Sequence, residues 1–334
     1  MDSTLVIMWL GFALASYSVV GNDVIQTLGT FLTSNEKRPW WILWLFASTI
    51  LTLTLLYSWF TYDGDVSYQR LIGDASDGFS IENPKYPLPD PFAWYYLLPP
   101  LVLMLITRFG IPVSTSFLIL TFFVPKGLVS MATKSFTGYL VAFVAAILVY
   151  LLISKVAEKR FVNNPITERQ RKIWMPLQWF STGFLWTQWL AQDFANIYVY
   201  LPREISVSDF FISLFIILSL LAYIFWSKGG KIQDVVRSKS NTSDIRSATI
   251  IDFIYGIILF YFKELNNVPM STTWVFIGLL AGREIGIALR TNKGNFKEVL
   301  RPLIIDFAKV TLGLVISIIL VFLIRYLSSG SFSF

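Results

Sequence analysis

Long apolar runs constrain the fold of this chain more than any other feature of its sequence. Four of them, residues 40–60, 136–154, 207–226 and 302–324, approach or exceed twenty residues. A transmembrane helix needs about 20 such residues to cross a hydrocarbon core about 30 Å thick. With 55% hydrophobic and only 14% charged residues, the chain is too apolar for a soluble domain of its size. We therefore predict an all-α polytopic membrane protein.

Two residue types are missing altogether, because the sequence has no cysteine and no histidine. Their absence excludes disulfides, Cys/His metal sites, Ser–His nucleophile pairs and histidine proton relays. The net charge of +6 lies in short loops, which is typical of membrane topology and not of nucleic-acid binding. The N-terminal run lacks a basic segment and carries polar residues at its end, so we do not expect a cleavable signal.

Two polar motifs interrupt the apolar runs and occur in the same order in each half of the chain. Asn22–Gln26 has a counterpart in Gln192–Asn196, and Pro112–Ser116 has a closer one in Pro269–Thr273. An internal repeat of this kind indicates two copies of one structural unit.

The proposed division places a first repeat at 1–160, a basic linker at 161–172 and a second repeat at 173–334. In each repeat a broken helix, a helix, a helical hairpin and a final helix follow one another. The hairpins are expected at about 93–124 and about 248–289. The other expected elements are 4–33, 40–60 and 136–156 in the first repeat and 173–202, 207–226 and 302–325 in the second.

Loop charge indicates how the two repeats are oriented. The loop 61–92 is acidic and is expected outside, whereas the basic linker is expected inside. Both of these placements are possible if 93–124 is a re-entrant hairpin that enters the membrane from outside and returns to the same side. Each repeat then crosses three times, so the second copy is inverted and both termini lie outside. Inverted repeats with broken helices and a central site are the architecture of secondary transporters.

The first motif places carboxylates where lipid would otherwise be expected, which makes them functional candidates. Gly21 and Gly29 allow the first helix to break and expose backbone carbonyls to a cavity. An all-oxygen cluster with a single carboxylate suits a monovalent hard cation such as Na⁺. The alternative is that these are polar residues satisfied by helix packing. The candidate cation ligands are Asn22, Asp23, Gln26, Gln192, Asp193 and Asn196.

The second motif favours an anion site. Proline is pre-set for the first turn of a helix, and Ser/Thr residues cap it, so N–H groups and hydroxyls converge at the positive end of the dipole. The alternative is ordinary N-capping of a buried helix. The candidate anion ligands are Ser114, Thr115, Ser116, Ser271, Thr272 and Thr273, and the charged residues near the tips that could bind the anion or form a charge pair are Arg108, Lys263 and Glu264.

These motif pairs resemble the inorganic phosphate transporter (PiT) family, which includes a sulfate permease branch and whose signature in each half reads roughly Gly-Ala-Asn-Asp-Val-Ala-Asn-Ala. The matching segments here are Val20–Thr27 and Leu190–Ile197, and a Pro-Val-Ser-Thr-Thr motif is matched by both hairpins. The resemblance spans nearly the whole chain but rests on few positions. It departs at Gln26 and Gln192, which replace asparagine, and at Ser116, which replaces threonine.

The resemblance implies inverted repeats and cation-coupled uptake of an oxyanion, with cation ligands at the Asn/Asp positions and anion ligands at the hairpin tips. We expect a Na⁺-coupled symporter of inorganic phosphate or a similar oxyanion, and not an enzyme. Na⁺ is then a coupling ion and not a tightly bound cofactor. The expected location is the plasma (inner) membrane, with the lipid bilayer as surroundings and no nucleic acid as partner. A second copy of the chain could complete a homodimer.

Three alternatives remain open. One is a sulfate permease, with H⁺ in place of Na⁺ as the coupling ion. Another is an intramembrane aspartyl protease that uses Asp23 and Asp193 as a pair with separated pKa values. In that chemistry the neighbouring amides and the hydroxyl hairpins would have no task. The third is a scaffold or assembly factor, in which neither acid would matter.

Overall fold

The computed structural model describes residues 3–109, 111, 113–153, 164–228, 244–265, 270–291 and 296–329. The described residues of the first half form six α-helices, and two π-helical turns join or extend them. The helices are α1 (Ser3–Val19), α2 (Ile25–Ser34), α3 (Trp40–Thr61), α4 (Leu98–Arg108), α5 (Thr121–Phe123) and α6 (Leu128–Ile153), and the π-helical turns are Val20–Val24 and Ser116–Leu120.

The second half contains six α-helices among its described residues. They are α7 (Glu168–Asp193), α8 (Ala195–Tyr198), α9 (Val207–Trp226), α10 (Ile245–Leu265), α11 (Thr272–Thr291) and α12 (Phe296–Ser329). Most of the linker predicted at 161–172 lies at the start of α7 or outside the described residues. The basic residues that precede it, Lys155, Lys159 and Arg160, also lie outside the described residues.

Seven helical segments of the described chain are long and apolar enough to cross a membrane: Ser3–Val24, Trp40–Thr61, Pro125–Leu152, Val207–Trp226, Ile245–Phe262, Thr272–Leu289 and Val299–Leu323. Their exposed faces carry large apolar side chains, among them Leu53, Phe60, Phe215 and Ile319. Since apolar side chains face lipid at no cost, this surface fits a protein solvated by a bilayer. The chain is an integral membrane protein with an all-helical polytopic fold.

Helix α7 is less apolar than these seven candidate membrane-spanning segments. Its buried face carries polar side chains, including Gln178, Thr182, Gln188 and Asp193. In a bilayer such residues must face the interior of the bundle, where other helices supply their partners. Helix α7 packs against α10, α3 and α2, and so occupies the centre of the molecule.

The helix expected to break between residues 4 and 33 does not break. Helices α1 and α2 are continuous through the π-helical turn Val20–Val24, which carries Asn22 and Asp23. An extra residue in one turn disturbs the ladder of i→i−4 hydrogen bonds, so a π-helical turn can expose carbonyls without ending the helix. Gly21 is not required for space there, because a Cβ at this position would meet nothing within 4 Å.

The second motif helix is interrupted as expected. Helix α7 ends at Asp193, Phe194 lies in a turn, and α8 continues only to Tyr198. The two acids therefore both lie at irregular points of otherwise regular helices, which is where transporter folds place ion sites.

The two hairpins differ in length. Helix α4 has 11 residues, or about 16 Å at 1.5 Å per residue, so it reaches only about half-way through a bilayer. Helices α10 and α11 have 21 and 20 residues, or about 30 Å each, and each could cross the bilayer completely. Helices α10 and α11 cover nearly the range expected for the second hairpin, 248–289, but each of them is longer than α4 and long enough to span the bilayer.

The segment between α3 and α4 folds inward instead of lying over the surface. Asp65, Ser67, Arg70 and Leu71 are all buried, and two backbone hydrogen bonds join residues 71–72 to 85–86. Asp65 holds the start of this segment by accepting hydrogen bonds from the backbone of Ser67 and Gln69. Burial nevertheless raises the pKa of Asp65 above its usual range.

Candidate functional site

Asp23 is almost completely buried and is held by donors from two parts of the chain. The Nδ2 of Asn22 donates to Oδ1 of Asp23 at 2.5 Å and to the carbonyl of Val113 at 2.9 Å. The hydroxyl of Thr115 donates to Oδ2 of Asp23 at 2.8 Å. Asp23 is therefore fixed against the tip of the first hairpin, where the polar residues of the second motif begin.

Asp193 is fully buried and contacts the same hairpin tip. Its Oδ1 accepts hydrogen bonds from Nδ2 of Asn196 at 2.9 Å and from the hydroxyl of Ser116 at 3.2 Å. The side chain of Thr272, from the second hairpin, also faces this carboxylate. Both hairpins thus meet at Asp193.

One hydroxyl connects the two acids. The Nδ2 of Asn196 donates to Oγ1 of Thr115 at 2.9 Å, and that hydroxyl in turn donates to Asp23. The two carboxylates are close enough to repel each other electrostatically. Two buried negative charges in one cluster require compensation by cations or protons.

Several polar atoms in this cluster have no hydrogen-bond partner although they are buried. They are Oδ1 of Asn22, Oδ2 of Asp193, Oδ1 of Asn196 and Nε2 of Gln26. Most buried polar atoms in proteins are paired, and those that are not call for an explanation such as an ion. Three of these four are oxygen acceptors around the two acids, which is the donor set of a hard monovalent cation.

The hairpin tips use their hydroxyls in the same way in both halves. The Oγ of Ser114 accepts from the backbone N–H of Phe117, and that of Ser271 accepts from the N–H of Trp274. These two serines are therefore N-caps, as the alternative interpretation of the motif held. The hydroxyls that follow them project into the cluster instead.

The two tips also contact each other. The hydroxyl of Thr273 donates to the carbonyl of Val113 at 3.2 Å, and the same carbonyl accepts from Asn22. Tyr255 supports the second tip, since its hydroxyl donates to the carbonyl of Thr272 at 3.0 Å. The first motif, the second motif and both hairpins are therefore brought to one place.

Some residues expected in the site lie elsewhere. Gln192 turns toward α10, where its Nε2 donates to the carbonyl of Leu259 at 2.8 Å. Arg108 is exposed at the end of α4, and no described hydrogen bond joins it to either acid. Gln26 is buried, but its amide nitrogen reaches no partner. The structure describes the backbone of Lys263 and Glu264 but not their side chains.

Other residues in or near the site were not expected from the sequence. Arg70, from the segment between α3 and α4, donates through Nε to the carbonyl of Ala191 at 3.0 Å and is attracted by Asp193. Nothing in the local sequence indicates this, because Arg70 lies in a loop with an acidic excess.

Another buried carboxylate, that of Asp252, accepts from the hydroxyls of Thr30 at 2.5 Å and Thr182 at 2.6 Å. Both of its oxygens are satisfied, unlike those of Asp193. Asp252 could have been identified from the sequence, because it is an acidic residue within an apolar run.

Of the comparisons with known proteins, the one with solved structures bears on the fold. No protein-family model matches the chain, and no curated protein does. A solved structure described as the sodium-dependent phosphate transporter matches 98% of this chain and 100% of its own, with a TM-score of 0.64 and 15% sequence identity. At this identity the likeness establishes a shared fold. The all-helical transporter fold implied by the resemblance of the two motif pairs is therefore confirmed.

Proposed function

We propose that this protein is a secondary transporter that moves inorganic phosphate, or a similar oxyanion, together with Na⁺. One observation carries the proposal: two buried carboxylates and two buried amides surround the point where both hairpin tips meet, and three of their oxygens have no donor among the described residues. The similar structure is that of a sodium-dependent phosphate transporter, which supports the same substrate and coupling ion.

Na⁺ would enter the cluster as cargo and bind its carboxylate and amide oxygens, three of which have no donor among the described residues. The ligands on the first side are Asn22 and Asp23, and those on the second side are Asp193 and Asn196. Each side offers one carboxylate and one amide oxygen, which suits a singly charged cation. The cations would also relieve the repulsion between the two acids, which lowers the cost of keeping both charges buried.

The oxyanion would bind at the hairpin tips. Thr115, Ser116, Thr272 and Thr273 present hydroxyls there, and α11 begins at Thr272 with its positive dipole end toward the cluster. The hydroxyls of Thr115, Ser116 and Thr273 donate to a carboxylate or a carbonyl, and that of Thr272 faces Asp193. Cations bound to the acids would free the hydroxyls for the anion, so the two binding events would favour each other.

We further propose that the two halves are inverted copies. In the first half, α1 packs against the hairpin helix α4, and in the second half α7 packs against the hairpin helix α10. Likewise α6 packs against α11 of the opposite hairpin, and α12 packs against the segment Ser116–Leu120 of the first. The shortness of α4 leaves three crossings in the first half, which supports inversion. On this topology, both termini face outside. We propose the plasma (inner) membrane as the location.

The test is uptake by the purified protein in proteoliposomes. Radiolabelled phosphate and sulfate are each offered with a Na⁺ gradient, a proton gradient or neither. We expect phosphate uptake that depends on Na⁺. Uptake of sulfate driven by protons would favour the permease alternative, and absence of any anion uptake would contradict the proposal.

Asp23→Asn and Asp193→Asn test the role of the two acids. Each removes a charge that Na⁺ would balance, so we expect the Na⁺ dependence of uptake to be lost. A charge-assisted contact is worth about 1.5–3 kcal/mol, so apparent Na⁺ affinity should fall at least about tenfold. Asp209→Asn, in an exposed N-terminal turn of α9, is the control and should behave like the parent protein.

The competing enzyme class makes a different prediction for the same acids. An aspartyl protease would cleave peptide in detergent and would lose that cleavage in both variants. The similar structure is a transporter and not an enzyme. The orphaned amide oxygens and the hydroxyls at the tips also have no part in peptide hydrolysis, so transport is the function that uses the whole site.

A further inference from the structure

Two buried arginines belong to neighbouring loops but differ in how their guanidinium groups are used. Arg203 donates to the carbonyls of Tyr86, Tyr198, Leu201 and Val199, so each of its three nitrogens has an acceptor. Arg70 is 5% exposed, and within the described part of the chain it donates only through Nε while its Nη1 has no hydrogen-bond partner. A buried cationic donor without an acceptor is costly, so Arg70 is not explained by folding alone.

The position of Arg70 relates it to the central cluster. Its Nε binds the carbonyl of Ala191, which is two residues before Asp193 in the last turn of α7. The carboxylate of Asp193 attracts the guanidinium, whereas burial lowers the pKa of Arg70 to about 10. The side chain thus stays charged at neutral pH and lies between the inward-folded loop and the second acid.

Two lysines extend this positive charge away from the cluster. Lys85 is held beside the Arg70 segment because its backbone N–H donates to the carbonyl of Ile72 at 2.7 Å. Burial, and repulsion from Lys134 and Arg70, lower the pKa of Lys85. Lys134, on α6, is close enough to Arg70 for the same repulsion.

Three cations gathered in one place are unfavourable without an anion. In the described part of the chain, no hydrogen bond or ion pair connects any of the three to a carboxylate, although Asp193 attracts Arg70 and Asp77 attracts Lys85 at longer range. The arrangement therefore has the charge of an anion site and a buried donor without a described partner, and Arg70 contacts α7 two residues before Asp193.

We propose that Arg70, Lys85 and Lys134 form an oxyanion-binding site on the loop side of Asp193, with Nη1 of Arg70 as a direct donor to the anion. This inference rests on the proposed transport function and assigns to it a specificity-determining residue. A planar guanidinium suits tetrahedral oxyanions such as phosphate and sulfate because it donates in a fixed geometry. Its charge also offsets the repulsion that two buried carboxylates exert on an incoming anion.

Anion uptake by Arg70 variants in proteoliposomes tests the proposal. Arg70→Gln removes the charge, whereas Arg70→Lys keeps the charge but lacks the planar guanidinium group. A hydrogen bond to a charged group is worth about 1.5–3 kcal/mol, so the KM for phosphate should rise roughly ten- to a hundredfold in Arg70→Gln. A smaller rise is expected in Arg70→Lys. The Na⁺ concentration for half-maximal uptake at saturating phosphate should stay within about twofold, which a merely structural role would not predict.

The two lysines give a test that does not depend on a buried substitution. Lys85 and Lys134 are partly exposed, so Lys85→Gln and Lys134→Gln should fold even if Arg70→Gln does not. Each should raise the KM for phosphate several-fold at low salt and less at high salt, because exposed charges are screened. Lys126→Gln removes the same charge from an exposed lysine shortly before α6 and should leave the KM unchanged.

The outcomes distinguish the oxyanion-site proposal from the transport function on which it rests. If the parent protein takes up neither phosphate nor sulfate, the transport proposal fails. If it does take up anion, and the KM is unchanged in the Arg70 and both lysine variants, the oxyanion site is overturned and transport stands. A lipid phosphate held by the same cations would raise the KM in vesicles containing phosphatidylglycerol over that in phosphatidylcholine alone. That result would also overturn the assignment to a soluble anion.

Discussion

At the scale of single residues, Thr115 connects the two halves of the cluster. Its hydroxyl donates to Asp23 and accepts from Asn196, which in turn donates to Asp193. A hydroxyl can fill both roles at once because it has one donor and two acceptor sites. The geometry of each acid therefore depends on a residue that is not itself charged.

Replacing Thr115 with valine keeps the shape of the side chain and removes both hydrogen bonds. Asn196 then loses an acceptor and Asp23 loses a donor, at a cost of about 1–3 kcal/mol for each buried group left unpaired. We expect a lower melting temperature in detergent and a loss of the stabilisation that Na⁺ gives to the parent protein. Thr115→Ser restores the hydroxyl and should recover both. A valine variant with an undiminished Na⁺-dependent shift would remove Thr115 from the cation site.

Local sequence identified these residue types but not their directions. Asn22, Asp23, Asp193, Asn196 and Thr115 meet in the structure as the motifs suggested. Gln192 points to α10 instead, since the residue before Asp193 lies on another face of α7. The rotation of a helix about its axis is set by its neighbours, which a short motif does not specify.

At the scale of helices, close packing of α6 and α11 joins the two halves. Gly278, Gly282 and Gly286 recur every fourth residue along α11, so they share one face. A Cβ at Gly278 would strike the backbone of Tyr139, and one at Gly282 would strike the backbone of Phe143. Small residues at such intervals let transmembrane helices approach closely, where dispersion and not the hydrophobic effect holds them. This pattern was visible in the sequence, although it does not reveal the partner helix.

Gly282→Ala should destabilise the protein because the added methyl meets a backbone carbonyl that cannot rotate away. Overpacking of this kind costs about 1–3 kcal/mol, and Gly282→Leu should cost more. The measurement is the melting temperature in detergent together with the yield of folded protein. Gly127→Ala is the matched control, since a Cβ there would meet nothing within 4 Å. Equal stability of the two alanine variants would contradict the packing described.

At the scale of the whole molecule, the contact between the two hairpin tips defines the centre. The hydroxyl of Thr273 reaches the carbonyl of Val113 although the two residues belong to opposite halves. In the transport cycle proposed above, one part of the fold would move against another around a fixed site, so we expect the tips to separate.

A disulfide between the tips tests both the contact and its motion. The chain has no cysteine, so Val113→Cys with Thr273→Cys introduces the only two thiols. We expect an oxidant to join them, because the two residues are already in contact and a disulfide needs Cα atoms within about 7 Å. The cross-link, detected by mass spectrometry, should block uptake until a reductant restores it. Each single-cysteine variant is a control, and two thiols that stay free under oxidant would show that the tips do not meet.

The sequence alone determined that the chain spans a membrane, where its main helices lie, and which acids and hydroxyls interrupt them. These features are local, because the length of an apolar run and the cost of a buried charge depend on few neighbours. Only the tertiary structure decided that the first motif helix continues through a π-helical turn and that Arg70 enters from a loop. It also decided that Arg108 stays at the surface. Such outcomes depend on contacts between residues far apart in the chain, and loop paths and helix rotations follow from the packing of the whole.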